Sequence, residues 1–351
     1  VRSVHVVVPD SVDDPTRPSG GNVYDRRLCD ALRVLGLDVH EHAVPGAWPH
    51  PTVASCDALA GVVARIPDAA VVLVDGLVAS TVPDVLVPET GRVRLVVLVH
   101  MPLGHRRADD DMRLRESAVL SAAAAIVTTS AWSRQRLREL YGLPGDRIHV
   151  AVPGVAGAEL APGSAGGGML LCVAAVISDK GHDILLDALA DIADLAWQCV
   201  CVGSTTREPA FVERLRRRTG ELGFRGRVSF PGPLTGAALD RTYATADVLV
   251  LPSRAETYGM VIAEALARGL PVVATDVGGV PEALGDGGGD SRPGLLVPPD
   301  DAAALASALG MWLGNPELRQ RLRRAARKRR ETLATWSATA SVMADVMAGV
   351  S

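Results

Sequence analysis

Glu256-Thr257-Tyr258-Gly259-Met260-Val261-Ile262-Ala263-Glu264 sets two carboxylates eight positions apart. Leu249-Val250-Leu251-Pro252-Ser253 before it reads as the end of a buried strand, and Met260 to Ala267 after it carry an apolar helical pattern. This strand, loop and helix is the repeating joint of a parallel α/β sheet. Glu256 is expected at the mouth of a cleft, and Glu264 about two turns into the helix. Between them lie the N–H groups of Gly259, Met260 and Val261, where a helix N-terminus offers a site for an anion.

Outward from that joint the same alternation runs through the chain twice. Strands are expected at Val4–Val8, Val39–Ala43, Val71–Val74, Leu95–Val99, Ala125–Thr128 and Ile148–Val150. A second set follows at Leu170–Val176, Gln198–Val202, Val228–Phe230, Val248–Leu251, Val272–Ala274 and Leu295–Val297. The Gly/Pro/Ser-rich run 157–168 between them reads as a linker. The expected division is therefore a first Rossmann-like domain at 1–156, a second at 169–325, and C-terminal helices at 326–351 that cross back to the first, with Trp336 near the break. Ligands in open α/β sheets bind outside the carboxyl ends of the strands, so two such domains facing across a cleft would hold the site between them.

Bulk properties narrow the function classes. At 351 residues the chain exceeds the size of a usual single core, which agrees with two domains. A net charge of -4 leaves no electrostatic footprint for nucleic acid. The apolar residues come in short runs, with no candidate transmembrane segment, and the Val1-Arg2-Ser3-Val4-His5 start has no signal-peptide pattern, so a cytoplasmic location is expected. Cys29, Cys56, Cys172, Cys199 and Cys201 show no paired spacing and read as reduced core residues. No set of His, Cys and carboxylates has metal-ligand spacing, so neither metal nor cofactor is expected.

Of 36 basic residues only Lys180 and Lys328 are lysines. Lys328 lies in an arginine-rich helical run, whereas Lys180 stands alone in Ser178-Asp179-Lys180-Gly181-His182, after a strand and before a helix. There a compact ammonium could neutralise a diphosphate leaving group, or simply be solvated. Gly20-Gly21 precedes a helix from about Val23 to Leu35; such glycines let a ligand approach the backbone, but the spacing is not GxGxxG and argues against a dinucleotide. His100 ends a strand, where either a ligand contact or a satisfied histidine fits. The Glu256/Glu264 pair could merely favour the helix dipole. Acids suited to hydroxyls beside amides suited to phosphate point instead to a nucleotide-activated sugar.

These residues resemble the retaining glycosyltransferases of family 4, which have the GT-B fold. The resemblance covers nearly the whole chain and is carried by Lys180-Gly181-His182-Asp183, Ala246 to Ser253, the Glu256 to Glu264 segment, Gly278-Gly279-Val280-Pro281-Glu282 and Gly294 to Pro299, with Gly20-Gly21 and His100 in the first half. It implies a hexosyl transfer from a nucleotide diphosphate sugar to a hydroxyl of a small-molecule or lipid-linked acceptor, with an α-linkage and no metal. UDP-sugar is the first expectation for the donor and GDP-sugar the next. Glu256 would hold the sugar's hydroxyls, Glu264 the ribose, and Lys180 with the amides of Gly259, Met260 and Val261 the diphosphate. His100 would contact the donor sugar, Gly21 would line the diphosphate or acceptor side, and Gly20 joins it among the donor-binding residues. The family also carries an arginine five residues before the lysine, where this chain has Ala175. Arg254, Arg106 or Arg107 could replace it. The alternatives are a nucleotide-sugar-binding relative with weak or no transfer, and an epimerase of the same fold, which would need its own acid/base pair.

Overall fold

The computed structural model describes residues 3–105, 110–286 and 292–350. The chain folds as two compact units. One comprises the chain through Asp14, Gly20–Gly154 and the chain from Ala334 on; the other comprises Pro15–Ser19 and Val155–Leu333.

The first unit holds a parallel six-stranded sheet of β1 (Ser3–Pro9), β2 (Asp38–Val44), β3 (Val71–Asp75), β4 (Arg94–Val99), β5 (Ala125–Thr128) and β6 (Ile148–Val150), in the order β2-β1-β3-β4-β5-β6. The central strands β3, β4 and β5 are continuous apolar runs, buried almost throughout, as strands covered on both faces must be. The edge strand β2, Asp-Val-His-Glu-His-Ala-Val, is polar and mostly not buried. Helix Trp336–Gly349 belongs to this unit. Its first residue sets its ring edge-on against Tyr24, 5.4 Å between centroids, and Thr339 Oγ1 donates to the Val152 carbonyl at 2.7 Å. The preceding helix, Pro316–Arg330, stays with the second unit, so the return falls at Ala334.

The second unit repeats the plan with β7 (Met169–Val173), β8 (Gln198–Val202), β9 (Val228–Gly232), β10 (Val248–Leu251), β11 (Val272–Thr275) and β12 (Gly294–Val297), ordered β12-β11-β10-β7-β8-β9. Its core packs Trp312, Trp197 and the leucines of helix His182–Asp191 against the sheet. Asp247, fully buried, ties the linker down by accepting from Ser164 N and Oγ and from Met169 N, with Arg323 as its counter-charge at 2.8 Å.

Each sheet has one place where the strand order reverses, between β1 and β3 in the first and between β7 and β10 in the second. Connections leaving the two strands there diverge to opposite faces and open a crevice at the carboxyl ends. Lys180 follows β7, and Glu256 follows β10.

Candidate functional site

The loop after β7 makes a 3-10 turn at Ser178–Lys180 and turns into helix His182–Asp191 through Gly181, whose φ is +67°. Any Cβ on Gly181 would stand 2.0 Å from the Pro252 carbonyl oxygen, so only glycine lets this turn lie against the loop after β10. That approach places Lys180 Nζ 2.6 Å from Glu256 Oε1. Ser253 donates to the same oxygen at 2.8 Å, and among the described residues Oε2 has no partner. Both side chains keep some exposure, 24% for Lys180 and 13% for Glu256. The pair is thus within reach of a ligand.

Gly278-Gly279 seats the other side of this loop. Gly278 has a φ of +55°, a Cβ there would meet the Glu256 carbonyl oxygen at 1.7 Å, and Gly279 N–H donates to that carbonyl at 3.1 Å. Helix Met260–Ala267 then opens after Gly259 with no side-chain cap. Its first N–H groups, those of Met260 and Val261 among them, have no intrahelical acceptor and carry the positive end of the helix dipole. Glu264 lies just over one turn into this helix rather than about two, because the helix starts only at Met260. Its Oε2 accepts from the buried Tyr243 hydroxyl at 2.8 Å.

Arg254 is held elsewhere. Both Nη atoms bond Asp183 at 2.9 Å, Nε bonds Asp300 at 2.6 Å, and a further bond reaches the Ser178 carbonyl. The hydrogen bonds it donates to Asp183, with the charges of Asp183 and Asp300, raise the guanidinium's pKa against the effect of burial. Its charge is therefore matched within the protein, contrary to the expectation that it could stand in for an arginine at Ala175. Arg106 and Arg107 lie outside the described residues.

The first unit has its own constellation at its switch point. His100 follows β4, Asp75 ends β3, and Asp25 comes from helix Gly20–Val34, which follows β1. Gly20 and Gly21 are the first two residues of that helix rather than a turn before it, so the helix begins earlier than Val23. Gly21 lies beneath the imidazole, since a Cβ there would stand 3.2 Å from His100 Cδ2. His100 Nε2 donates to Asp25 Oδ1 at 2.8 Å and lies 3.7 Å from Asp75 Oδ2, while the Tyr24 ring meets the imidazole edge-on at 5.1 Å. Asp75 Oδ1 caps the next turn by accepting from Leu77 N.

These three groups each offer one ligating atom within 4.8 Å of the others, a set that sequence spacing failed to show. The 2.8 Å bond is an ion pair when the imidazole is protonated. Burial alone would lower the His100 pKa, but the charge and hydrogen bond of Asp25, then the charge of Asp75, raise it to about 9. Burial, then the Asp25 charge, pushes Asp75 up to about 8 despite the imidazolium. Asp25 Oδ2 is buried without a hydrogen-bond partner, and a proton held on Asp75 beside it would satisfy that oxygen.

Asp25 and Tyr24 escaped sequence reading. The available signal was Asp25 sharing the apolar face of Leu28, Cys29 and Leu32, where a lone carboxylate requires a buried partner. Another missed group is Glu116. Fully buried, it accepts from Leu103 N at 3.0 Å, Gly104 N at 2.9 Å, Ser80 Oγ at 3.1 Å and the Tyr141 hydroxyl, and so pins the loop after His100.

Residues 164–329 match the family model described as Glycosyl transferases group 1. Among curated relatives, a D-inositol 3-phosphate glycosyltransferase of Acidothermus cellulolyticus is 35% identical over 232 residues, covering 60% of this chain and 50% of the relative. One of Jonesia denitrificans is 32% identical over 248 residues, covering 65% and 57%. The chain thus spans little more than half the length of these relatives. Among solved structures, sucrose-phosphate synthase of Thermosynechococcus elongatus superposes with a TM-score of 0.83 at 22% identity over 100% of this chain and 99% of that one. HepE of Anabaena in complex with UDP-glucose gives 0.79 at 16% identity, with 99% of each covered. These likenesses show the fold. The α/β architecture with two parallel sheets is that of the GT-B glycosyltransferases.

Proposed function

We propose that the chain is a retaining glycosyltransferase of family 4 that transfers a hexose from a nucleotide diphosphate sugar to a hydroxyl of a small-molecule or lipid-linked acceptor, forming an α-linkage. The observation that carries this reading is the Lys180–Glu256 pair at the β7/β10 switch point, beside the uncapped start of helix Met260–Ala267. The family model over 164–329 and the names of the curated relatives support it.

In this reading the diphosphate oxygens take the Lys180 ammonium and the amides near Gly259, Met260 and Val261, which stabilise the negative charge that grows on the leaving group. The two carboxylates divide the rest of the donor. Glu256, its Oε1 held by Lys180 and Ser253, accepts from sugar hydroxyls through Oε2, and Glu264, steadied by Tyr243, accepts from the ribose. His100 serves as a donor to a substrate hydroxyl. UDP-sugar is the preferred donor, as in the HepE complex, with GDP-sugar next. D-inositol 3-phosphate, the compound in the names of the relatives, is the first acceptor to try.

A second reading, donor binding with weak transfer, is favoured by one observation: Ala175 stands where the resembling family has arginine, and Arg254 is tied to Asp183 and Asp300. A thermal-shift panel of UDP-, GDP- and ADP-sugars finds the donor, since a ligand at about 100 times its Kd stabilises by roughly 2.7 kcal/mol. Proton NMR of the product with an acceptor panel then tests transfer and the anomer. An α-linked product supports the first reading, binding without product the second, and no shift with any sugar nucleotide contradicts both.

A further inference from the structure

The cluster around His100 contains more than a histidine at a strand end. Its Nε2 is already taken by Asp25 at 2.8 Å, and a carboxylate can only accept, so the proton of that bond sits on Nε2. Asp25 is 3% exposed and Asp75 5%, so both acids are set deep in the unit, while the His100 side chain keeps 18% of its surface open. The ring is packed against Gly21, from whose Cβ position Cδ2 is only 3.2 Å away, and is met edge-on by Tyr24, itself fully buried against Trp336. The imidazole is thereby fixed in its plane, with one nitrogen committed to the interior.

We propose that Asp25 is the positioning residue of His100: it holds Nε2–H, keeps the ring a cation, and leaves Nδ1–H as the donor the protein offers to a substrate hydroxyl. The charge follows from the company of the ring. Two buried carboxylates with one orphaned oxygen, Asp25 Oδ2, are matched if Asp75 keeps a proton facing that oxygen and the imidazole keeps both of its own. The cluster is then neutral as a whole, with its positive end at the imidazole. A neutral ring donating from Nε2 would instead present Nδ1 as an acceptor and leave the buried acids without a counter-charge. The donor role at a substrate hydroxyl rests on the function proposed above. The ring's protonation and orientation do not.

The experiment separates the two. Nitrogen NMR of the whole chain, labelled with 15N-histidine and with the His100 signals assigned by their loss in His100→Gln, reads both ring nitrogens at pH 7.5. Both are expected at the protonated position, and in Asp25→Asn the ring is expected to lose its second proton. In a donor-turnover assay, Asp25→Asn is expected to lower kcat at least tenfold while leaving UDP affinity within twofold, because the nucleotide contacts lie on other residues. Should Asp25→Asn fail to fold, the wild-type spectrum still decides. A neutral His100 in the wild type, or a bond to Asp25 made through Nδ1, overturns the proposal. So does displacement of the His100 signals by one equivalent of Zn2+ at micromolar concentration, which would make the trio a metal site. If the spectrum is as expected but the wild type turns over no donor, the functional reading fails and the positioning role of Asp25 stands.

Discussion

The two switch points of the molecule are built from opposite materials. In the second unit Lys180 and Glu256 come from loops that announce themselves in sequence, meet at 2.6 Å and stay partly open to solvent. In the first unit Asp25, Asp75 and His100 come from three separated segments, and the two acids are almost wholly buried. A pair that keeps contact with solvent exchanges partners at lower cost than a fully buried one. Breaking a buried pair by removing one partner costs about 3–5 kcal/mol. The second unit therefore holds charges that a ligand can recruit, and the first holds charges that keep one ring in place.

The largest effect that can break this contrast is at Lys180. Lys180→Ala is expected to lower turnover by about 100-fold or more, the order seen when one donor to a developing oxyanion is removed. Its Tm should move by only a few degrees, since a partly exposed pair contributes little. Lys180→Arg should recover part of the activity. Near-normal turnover at saturating donor in Lys180→Ala would remove the lysine from the mechanism.

A somewhat smaller effect divides the carboxylates. Glu264→Gln should weaken binding of free UDP by roughly tenfold, in line with the loss of a charge-assisted hydrogen bond. Glu256→Gln should leave free UDP binding about unchanged or slightly tighter, because Lys180 loses a competitor for the diphosphate. Calorimetry reads both. Equal losses would mean that the two acids do not serve different ends of the donor.

Arg254 sharpens the contrast within the second unit. Held by Asp183 and Asp300, it should behave as a structural clamp, so Arg254→Ala should cost a few degrees of Tm and change UDP affinity by less than about threefold. A large loss of affinity with Tm preserved would instead make it the substitute for the arginine absent at Ala175.

The smallest expected effect concerns pH and the buried cluster. His100, raised from 6.5 to about 9, contributes stability that is fully present below about pH 6.5 and lost as pH rises through 9. Asp75, raised from 3.8 to about 8, works in the same direction, since the fold favours its neutral form and that advantage fades between those values. The Tm should therefore fall by several degrees between pH 7 and pH 9. A Tm that is flat or rises across that window would contradict the assigned charges.

How much of this was legible depended on whether the information was local. Strands such as Val-Leu-Val-Leu at 248–251 declare themselves because burial on both faces demands an unbroken apolar run. The expected strand Leu170–Val176 is regular only to Val173; Ala174 N and Val176 N still donate to the Val202 and Ser204 carbonyls, but the backbone pressed close by Gly203 then turns, with Ile177 N bonding the Ala175 carbonyl. Apolar composition alone does not register such a stop. Lys180-Gly181 and the Glu256 segment could be read because each is a loop joined to a helix start. Asp25 could not be assigned a role, since its partners lie fifty or more positions away in the sequence, and the Asp300 that claims Arg254 lies 46 positions from it.

The central claim is that the second unit holds a nucleotide diphosphate through Lys180 and the helix start at Met260. Calorimetric titration of UDP, GDP and ADP into the wild type and into Lys180→Ala tests it most directly. The expected result is one saturable site per chain, UDP binding tightest, with affinity at least about tenfold weaker in Lys180→Ala, as the loss of a charged phosphate contact implies. Absence of saturable binding for all three nucleotides, or equal affinity in both proteins, would contradict the claim.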